Sequence, residues 1–379
     1  MVRIVPLVKP HLPSLEEIET ELRGMLNSGR LTNIGPYSQR FESAVADFLG
    51  VSHAVCAASG TTGLCLLLNT LPKGSEVLVP SFTFVATVQS VLWNGLVPVF
   101  VDIESDTFTM CPKSAKAALS SRTSAILAVN TFGAPCGIDD LAELAKRARV
   151  SLYFDSAHAL GATHKGKRLG AFGDAEVFSL SATKLLACGE GGIVTSNNRS
   201  LYEALLDRRN YGFRHGSRDC ANMGLNGKFT EFGAILGLKG LDSLDARIRR
   251  RNELASTYRT RLGAIKGIEF QKVKAGDYST FKDFVILCDP EKLGLNREEL
   301  AAHLRGKGIE TASYFSPAVH ELSYFKNYLQ SGSELGRTSL LQERVLSLPI
   351  YSDLTEEEVE YVIAAVEDVC NSSGTPMSS

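Results

Sequence analysis

A chain of 379 residues, 44% hydrophobic and 22% charged, has the make-up of a soluble globular protein with room for one large domain and a smaller one. Its formal net charge of −2 lacks the basic excess of a nucleic-acid binder. No apolar run approaches the roughly 18 residues that span a bilayer, and VRIVPLVKPHLPSLEE after Met1 has prolines and charges where a secretory signal is apolar.

The first predicted helix opens with a capping box of Ser14 and Glu17. Leu15, Ile18, Leu22 and Leu26 keep helical spacing up to a stop at Gly29. A second helix follows Pro36, with Phe41, Val45 and Phe48 on one face. From there to about residue 200, seven short apolar runs alternate with helical patterns: HAVCAA, EVLVP, VPVFVDI, SAILAVN, SLYFD, AEVFSLS and GIVTS. Near-continuous apolar strands are covered on both faces, and strands alternating with helices imply crossover connections. The predicted fold class is α/β, with a mostly parallel seven-stranded sheet flanked by helices.

One long helix is expected from about Thr230 to Leu262, with RIRRR (Arg247 to Arg251) as a solvated face. The remainder mixes strands, STFKDFVILCD and GIETASYF, with the helices NREELAAHLRGKG and TEEEVEYVIAAVEDVC. The expected division is a large domain over 1–245, a small α+β domain over 246–372 and a disordered tail over 373–379, the N-terminal segment packing on the small domain. The eight cysteines are scattered singly without a C-x-x-C pair, which points to neither zinc nor a disulfide framework. A reduced, cytoplasmic protein without a metal is expected.

Four features fall just past the ends of predicted strands, where an α/β enzyme keeps its chemistry. ASGTTG (Ala58 to Gly63) joins a strand to a helix. Its backbone N–H groups and hydroxyls suit a phosphate, although Ser and Thr cap ordinary helices equally well. Asp155 ends the apolar run SLYFD, where a carboxylate is costly without a cationic or hydrogen-bonding partner. By itself it reads as a cap on the next turn, and His158 as a core histidine. Lys184 lies between a Ser/Thr-rich run and a glycine cluster, with Ser179 upstream. It is either a surface lysine in a loop or an amine whose pKa is lowered in a dry pocket and which forms a Schiff base. PSFTFVAT (Pro80 to Thr87) offers an aromatic to stack on a flat ring, or a core aromatic. Together, in chain order, these are the contacts that pyridoxal 5′-phosphate requires.

The motifs SGRLTNIGPYSQRFE, ASGTTGL, VPSFTFVATVQSVLWNGLVPVFVDI, YFDSAHALGATHKGKRLGAFGDAEVFSLSATK, GEGGIVTSN and GLNGKFTEFGAILGL resemble the pyridoxal-phosphate nucleotide-sugar aminotransferases of DegT/StrS type. YFSPAVHELSYF and VLSLPIYSDLTEEE extend that likeness over nearly the whole chain. The resemblance implies a fold-type I homodimer with shared active sites. It makes Lys184 the Schiff-base lysine and Asp155 the partner of the pyridinium nitrogen, with His158 near the ring's phenolic oxygen. Gly60, Thr61 and Ser179 would hold the phosphate, Phe84 would stack on the ring, and Asn226 would reach the phosphate of the neighbouring subunit. Thr32, Tyr314 and His320 are expected at the substrate. Many members read Asn-Tyr-Arg where this chain has Asn226-Gly227-Lys228, and Asn130 stands where a histidine is frequent. The LTNIGP and GLNGK forms look most like the branch acting on dTDP-4-amino-4,6-dideoxyglucose-type sugars. The implied reaction takes an amino group from glutamate to a nucleotide keto-sugar, 4-keto before 3-keto. Two rivals are a sugar dehydratase of the same family, in which histidine replaces the lysine, and a non-catalytic sensor of nucleotide sugars.

Overall fold

The structure, a computed structural model, describes residues 3–214, 217–328 and 334–372. The expected tail over 373–379 lies outside the described residues. All seven apolar runs are strands of one sheet: β1 (His53–Ala57), β2 (Glu76–Pro80), β3 (Val97–Val101), β4 (Thr123–Val129), β5 (Ser151–Asp155), β6 (Ala175–Ser179) and β7 (Gly192–Ser196). Their order across the sheet is β1-β7-β6-β5-β4-β2-β3. Every pair is parallel except those made by β7, which runs against both β1 and β6.

Alternate residues of each strand enter different cores, so both faces are dry and the runs read as continuously apolar. Leu78, Leu152 and Phe154 join one core with Phe41, Val45 and Leu141 from helices Pro36–Leu49 and Ile138–Ala148. Val77, Val79 and Tyr153 join the other, with Leu64, Leu67 and Val91 from helices Gly60–Leu68 and Val85–Trp93. A third core lies under an antiparallel sheet of Ile268–Phe270, Phe284–Cys288 and Val345–Leu348, in that order. Helices Arg297–Gly306 and Glu356–Ser372 cover it, and Val5 of the N-terminal segment is buried in it.

Several local expectations are corrected. On the first helix, Leu15–Ser28, the capping box forms, but Ile18 and Met25 are the buried residues while Leu15 and Leu26 are exposed. The single long helix is two, Glu231–Asp242 and Leu244–Leu262, broken at Ser243. The first half needs glycine for close approach: a Cβ on Gly237 would stand 2.5 Å from the Phe41 ring. The second half departs on its own axis, carrying Leu254, Tyr258 and Leu262 into the third core. Nor is RIRRR simply a solvated face. Arg247 and Arg251 are buried; Arg251 donates to the carbonyls of Phe281, Lys282 and Ile350, which satisfies a guanidinium that the helix pattern alone leaves in water. GIETASYF is not a strand. It makes single bridges, Val5 with Ile309 and Ala312 with Ser347, then turns so that Phe315 stacks on Phe132; the third strand of that sheet comes from VLSLPIY instead.

Directly behind Asp155, a polar network crosses the sheet. Asn130 donates to the Ser156 hydroxyl, which donates to Glu176 on β6; Glu176 also accepts the N–H groups of Gly170 and Phe172. Burial raises the Glu176 carboxyl to about 7, these bonds opposing it. Between about pH 4.5 and 7 the folded chain therefore keeps a proton that the unfolded chain releases, and the stability due to Glu176 falls as pH rises. Glu176→Gln keeps the bonds accepted from Gly170 and Phe172, reverses the one with Ser156 and removes the titration. Urea unfolding should show the variant gaining on the wild type by about 3 kcal/mol through this window and levelling off above it. A difference that does not change with pH would mean that Glu176 ionises normally.

Candidate active site

A cavity of about 350 Å³ opens at the carboxyl ends of β4, β5 and β6. Asp155, the last residue of β5, faces it and is 6% exposed. Its Oδ2 accepts the Thr87 hydroxyl at 2.7 Å and its Oδ1 the Ala157 N–H at 3.1 Å. Thr87 is oriented in turn by the Thr83 hydroxyl at 2.8 Å. Burial raises the Asp155 pKa, and Thr87, Ala157 and the charge of Lys184 hold it down. A carboxylate so braced is directed at a ligand carrying an N–H.

Lys184 lies on the loop between β6 and β7 and lines the same cavity. Loss of water, then the neighbouring charge of Lys282, pulls its ammonium down to about 8. A useful fraction of neutral amine is then present near neutrality, as Schiff-base chemistry needs. His158 is driven well below its ordinary value by burial and by the two lysine charges. Its Nδ1 lies 3.3 Å from the Phe132 N–H, and acceptance there by a neutral ring leaves the proton on Nε2.

The helix Gly60–Leu68 starts at the cavity wall, capped by Ser59, whose hydroxyl accepts the Thr62 N–H at 3.0 Å. Gly60, Thr61 and Ser179 meet there. A Cβ on Gly60 would press to 3.0 Å from the Ser179 Cβ, so glycine is what lets the loop close on β6. Free N–H groups at a helix start, with hydroxyls beside them, suit a phosphate. Phe84, 60% exposed, stands at the start of helix Val85–Trp93 on the cavity rim, and Tyr314 contributes its own wall.

Of the expected site residues, Gly60, Thr61, Phe84, Asp155, His158, Ser179, Lys184 and Tyr314 come together, and Asn226, Thr32 and His320 do not line this cavity. Asn226 is exposed on a segment bridged to Asn210. The Thr32 hydroxyl donates to the Phe229 carbonyl at 3.1 Å. His320 is buried, its Nδ1 2.6 Å from the Ser81 hydroxyl. Sequence reasoning missed Thr87, Lys282, Asp283 and Phe315. The only mark of the second and third was a Lys-Asp pair inside the apolar run STFKDFVILCD.

A braced carboxylate, an amine of lowered pKa and a helix-start cradle at one cavity fit the nitrogen, aldehyde and phosphate of pyridoxal phosphate. The comparisons agree. The sequence pattern of the DegT/DnrJ/EryC1/StrS aminotransferase family matches residues 14–367. The chain is 30% identical over 365 residues to dTDP-4-amino-4,6-dideoxy-D-glucose transaminase of Shigella dysenteriae, covering 96% of this chain and 98% of that protein. Among solved structures it is similar to DesI, crystallised in the presence of its TDP-sugar product, with TM-score 0.91 and 33% identity over 98% of this chain and 94% of that one. It is also similar to Helicobacter pylori PseC, an aminotransferase of pseudoaminic acid biosynthesis, with TM-score 0.90 and 26% identity over 98% of this chain and 100% of that one. The chain belongs to the DegT/DnrJ/EryC1/StrS family and is a pyridoxal-phosphate-dependent aminotransferase. Among the described residues, no helix is long and apolar enough to cross a membrane.

The lowered Lys184 value has a direct readout. In cofactor-free protein, the rate of appearance of the yellow band on adding pyridoxal phosphate should rise with pH and flatten above about 8. A rate still climbing toward the ordinary lysine range, about 10.4, would show that Lys184 is well hydrated.

Proposed function

We propose that the protein transfers the amino group of glutamate to a nucleotide-linked keto-deoxysugar, with the keto group at C4, in amino-sugar biosynthesis. The observation that carries the chemistry is Lys184 and the braced Asp155 at one cavity, the amine poised near 8. The sugar assignment is supported by the likeness to the Shigella dysenteriae transaminase over nearly the full length of both chains. The retained Lys184 speaks against the dehydratase reading, and the complete residue set against a non-catalytic sensor.

When bound, pyridoxal phosphate supplies a carbonyl for the amino group and a protonated ring that accepts an electron pair. Gly60, Thr61 and Ser179 would hold its phosphate, Phe84 its ring face, and Asp155 its ring N–H. Lys184 would hold the cofactor between turnovers. Once freed, its neutral amine would take the proton from the donor's Cα and deliver it to the carbon that carried the cofactor's aldehyde. The His158 Nε2–H is left to donate to the ring's phenolic oxygen. 2-Oxoglutarate leaves before the keto-sugar enters, and the same residues work in reverse.

We further assign the active unit as a cytoplasmic homodimer with shared sites. Tyr211, Met223 and Leu225 are exposed on the segment that carries Asn226, and Phe232 is exposed just after it. An apolar patch beside a polar residue suits a second copy related by a two-fold axis.

A panel of nucleotide-linked 3- and 4-keto-sugars assayed with glutamate tests the reading, and amination of a 4-keto-6-deoxy sugar is the expected outcome. Lys184→Ala should abolish turnover. Asp155→Asn preserves the fold, since the Thr83 and Thr87 hydroxyls can reverse their bond, yet should slow proton removal from glutamate by about 100-fold or more. Near-normal single-turnover rates in either variant would remove that residue from the mechanism. For the shared site, mixing Lys184→Ala chains with chains inactivated at Asn226 should restore part of the activity through mixed dimers. Mixed dimers without activity, or an active monomer on sedimentation, would refute it.

A further inference from the structure

A segment of the C-terminal half, residues 279–283, reaches the cavity wall through Lys282 and Asp283. It is bolted to the large sheet's loops: Thr280 N–H donates to the Gly133 carbonyl, the Thr280 hydroxyl to the His158 carbonyl, and Lys282 N–H to the Phe132 carbonyl. Arg251 holds the same segment from behind through the carbonyls of Phe281 and Lys282. This places two further charged side chains at the cavity, Lys282 (4% exposed) and Asp283 (3% exposed).

The pair is incomplete. Lys282 Nζ donates to Asp283 Oδ1 at 2.8 Å, which uses one of three N–H bonds of the ammonium. Asp283 Oδ2 is buried with no hydrogen-bond partner. The nearest ring nitrogen, His158 Nδ1 at 3.8 Å, is beyond hydrogen-bond range and is engaged by Phe132 N–H. A buried carboxylate oxygen left unpaired is costly, and Asp283 is one of the residues that line the cavity. Asp283 also stands close to the reacting centre, its charge acting on Lys184 in the same direction as that of Asp155.

The vacancy defines its ligand. An anion would meet the lone pairs of Asp283 Oδ2, and a cation the ammonium of Lys282. The pair is neutral overall and offers one acceptor beside one donor. A hydroxyl matches it, giving its hydrogen to Oδ2 and accepting from Nζ.

We propose that Lys282 and Asp283 form a substrate-reading clamp for a sugar hydroxyl on the carbon next to the one aminated. The inference rests on the keto-sugar reading and deepens it: sugars with a hydroxyl at that position are selected over those lacking it. The amino donor, whose α-carboxylate is anionic, is not what the pair reads.

The test is a binding cycle on the cofactor-loaded protein, with three probes: dTDP-4-amino-4,6-dideoxyglucose, its analogue lacking the C3 hydroxyl, and dTDP alone. Wild type should bind the first about 10- to 100-fold more tightly than the second, the effect of a hydrogen bond to a charged group. In Lys282→Met/Asp283→Leu, which removes both charges and strands neither, the two sugars should bind alike while dTDP is held as before. Asp283→Asn keeps the bond to Lys282 and should give intermediate discrimination, which covers the case of a poorly folding double variant. The sugar half-reaction should fall at least tenfold more than the glutamate half-reaction, followed by bleaching of the yellow band. Discrimination that survives the double variant would mean that Oδ2 binds only water and overturns the proposal. So would a selective loss of the glutamate half-reaction, or equal loss of all three probes with a lowered melting temperature. A wild type that neither binds nor aminates any sugar of the panel would overturn the functional reading, and the clamp with it.

Discussion

Taking an ammonium and carboxylates out of water at one point is the constraint on which the rest of this structure depends. Lys184 is useful as an amine only because the cavity withholds water from it, and that dryness works equally against Asp155. The two charges oppose each other's cost, and the remainder is met by local donors: Thr87 and Ala157 on Asp155. Ala157 is near in sequence, on the loop after β5, whereas Thr87 comes from the helix after β2 and reaches Asp155 only through the crossover fold. A parallel sheet places the ends of β2, β4, β5 and β6 side by side, and the chemistry collects where they stop.

The C-terminal half has a second role besides its own core. Through Arg251 and the 279–283 segment it closes the cavity, and through Tyr314 and Phe315 it supplies an aromatic wall stacked on Phe132. Arg251 donates to three carbonyls through Nη1 and to the Ser352 hydroxyl through Nε and is almost wholly buried, so an element that looks like a surface helix acts as a tie between segments. Buried charge therefore serves position as well as chemistry. Lys282 lowers the Lys184 ammonium, its own charge is matched by Asp283, and Asp283 is left one bond short. The site is tuned toward a ligand that completes it.

Glu176 illustrates the cost of such tuning at one remove. It sits next to the strand end that carries Asp155, orders Ser156 and the turn at Gly170, and holds its proton to about 7. A group of this kind makes the platform rigid at the expense of stability toward alkaline pH.

The sheet was legible in the residues because its cause is local. Seven apolar runs between helical patterns can be covered on both faces in few ways, and Asp155, Lys184 and the Ser59–Thr61 turn stand out as polar groups at the ends of such runs. Their likeness to a known family added roles that composition could not supply. What the sequence could not determine depends on groups far apart in the chain. Thr87 meets Asp155 across 68 positions, and Arg251 leaves solvent only because three carbonyls from distant segments converge on it. The first half of the broken helix lies against Phe41 through Gly237, and GIETASYF touches the edge of Val345–Leu348 only by the single bridge of Ala312 with Ser347. Periodicity determined which residues leave water. Which charges meet once they have left it was decided by the tertiary structure, because a buried polar group is stable only beside partners that local sequence does not specify.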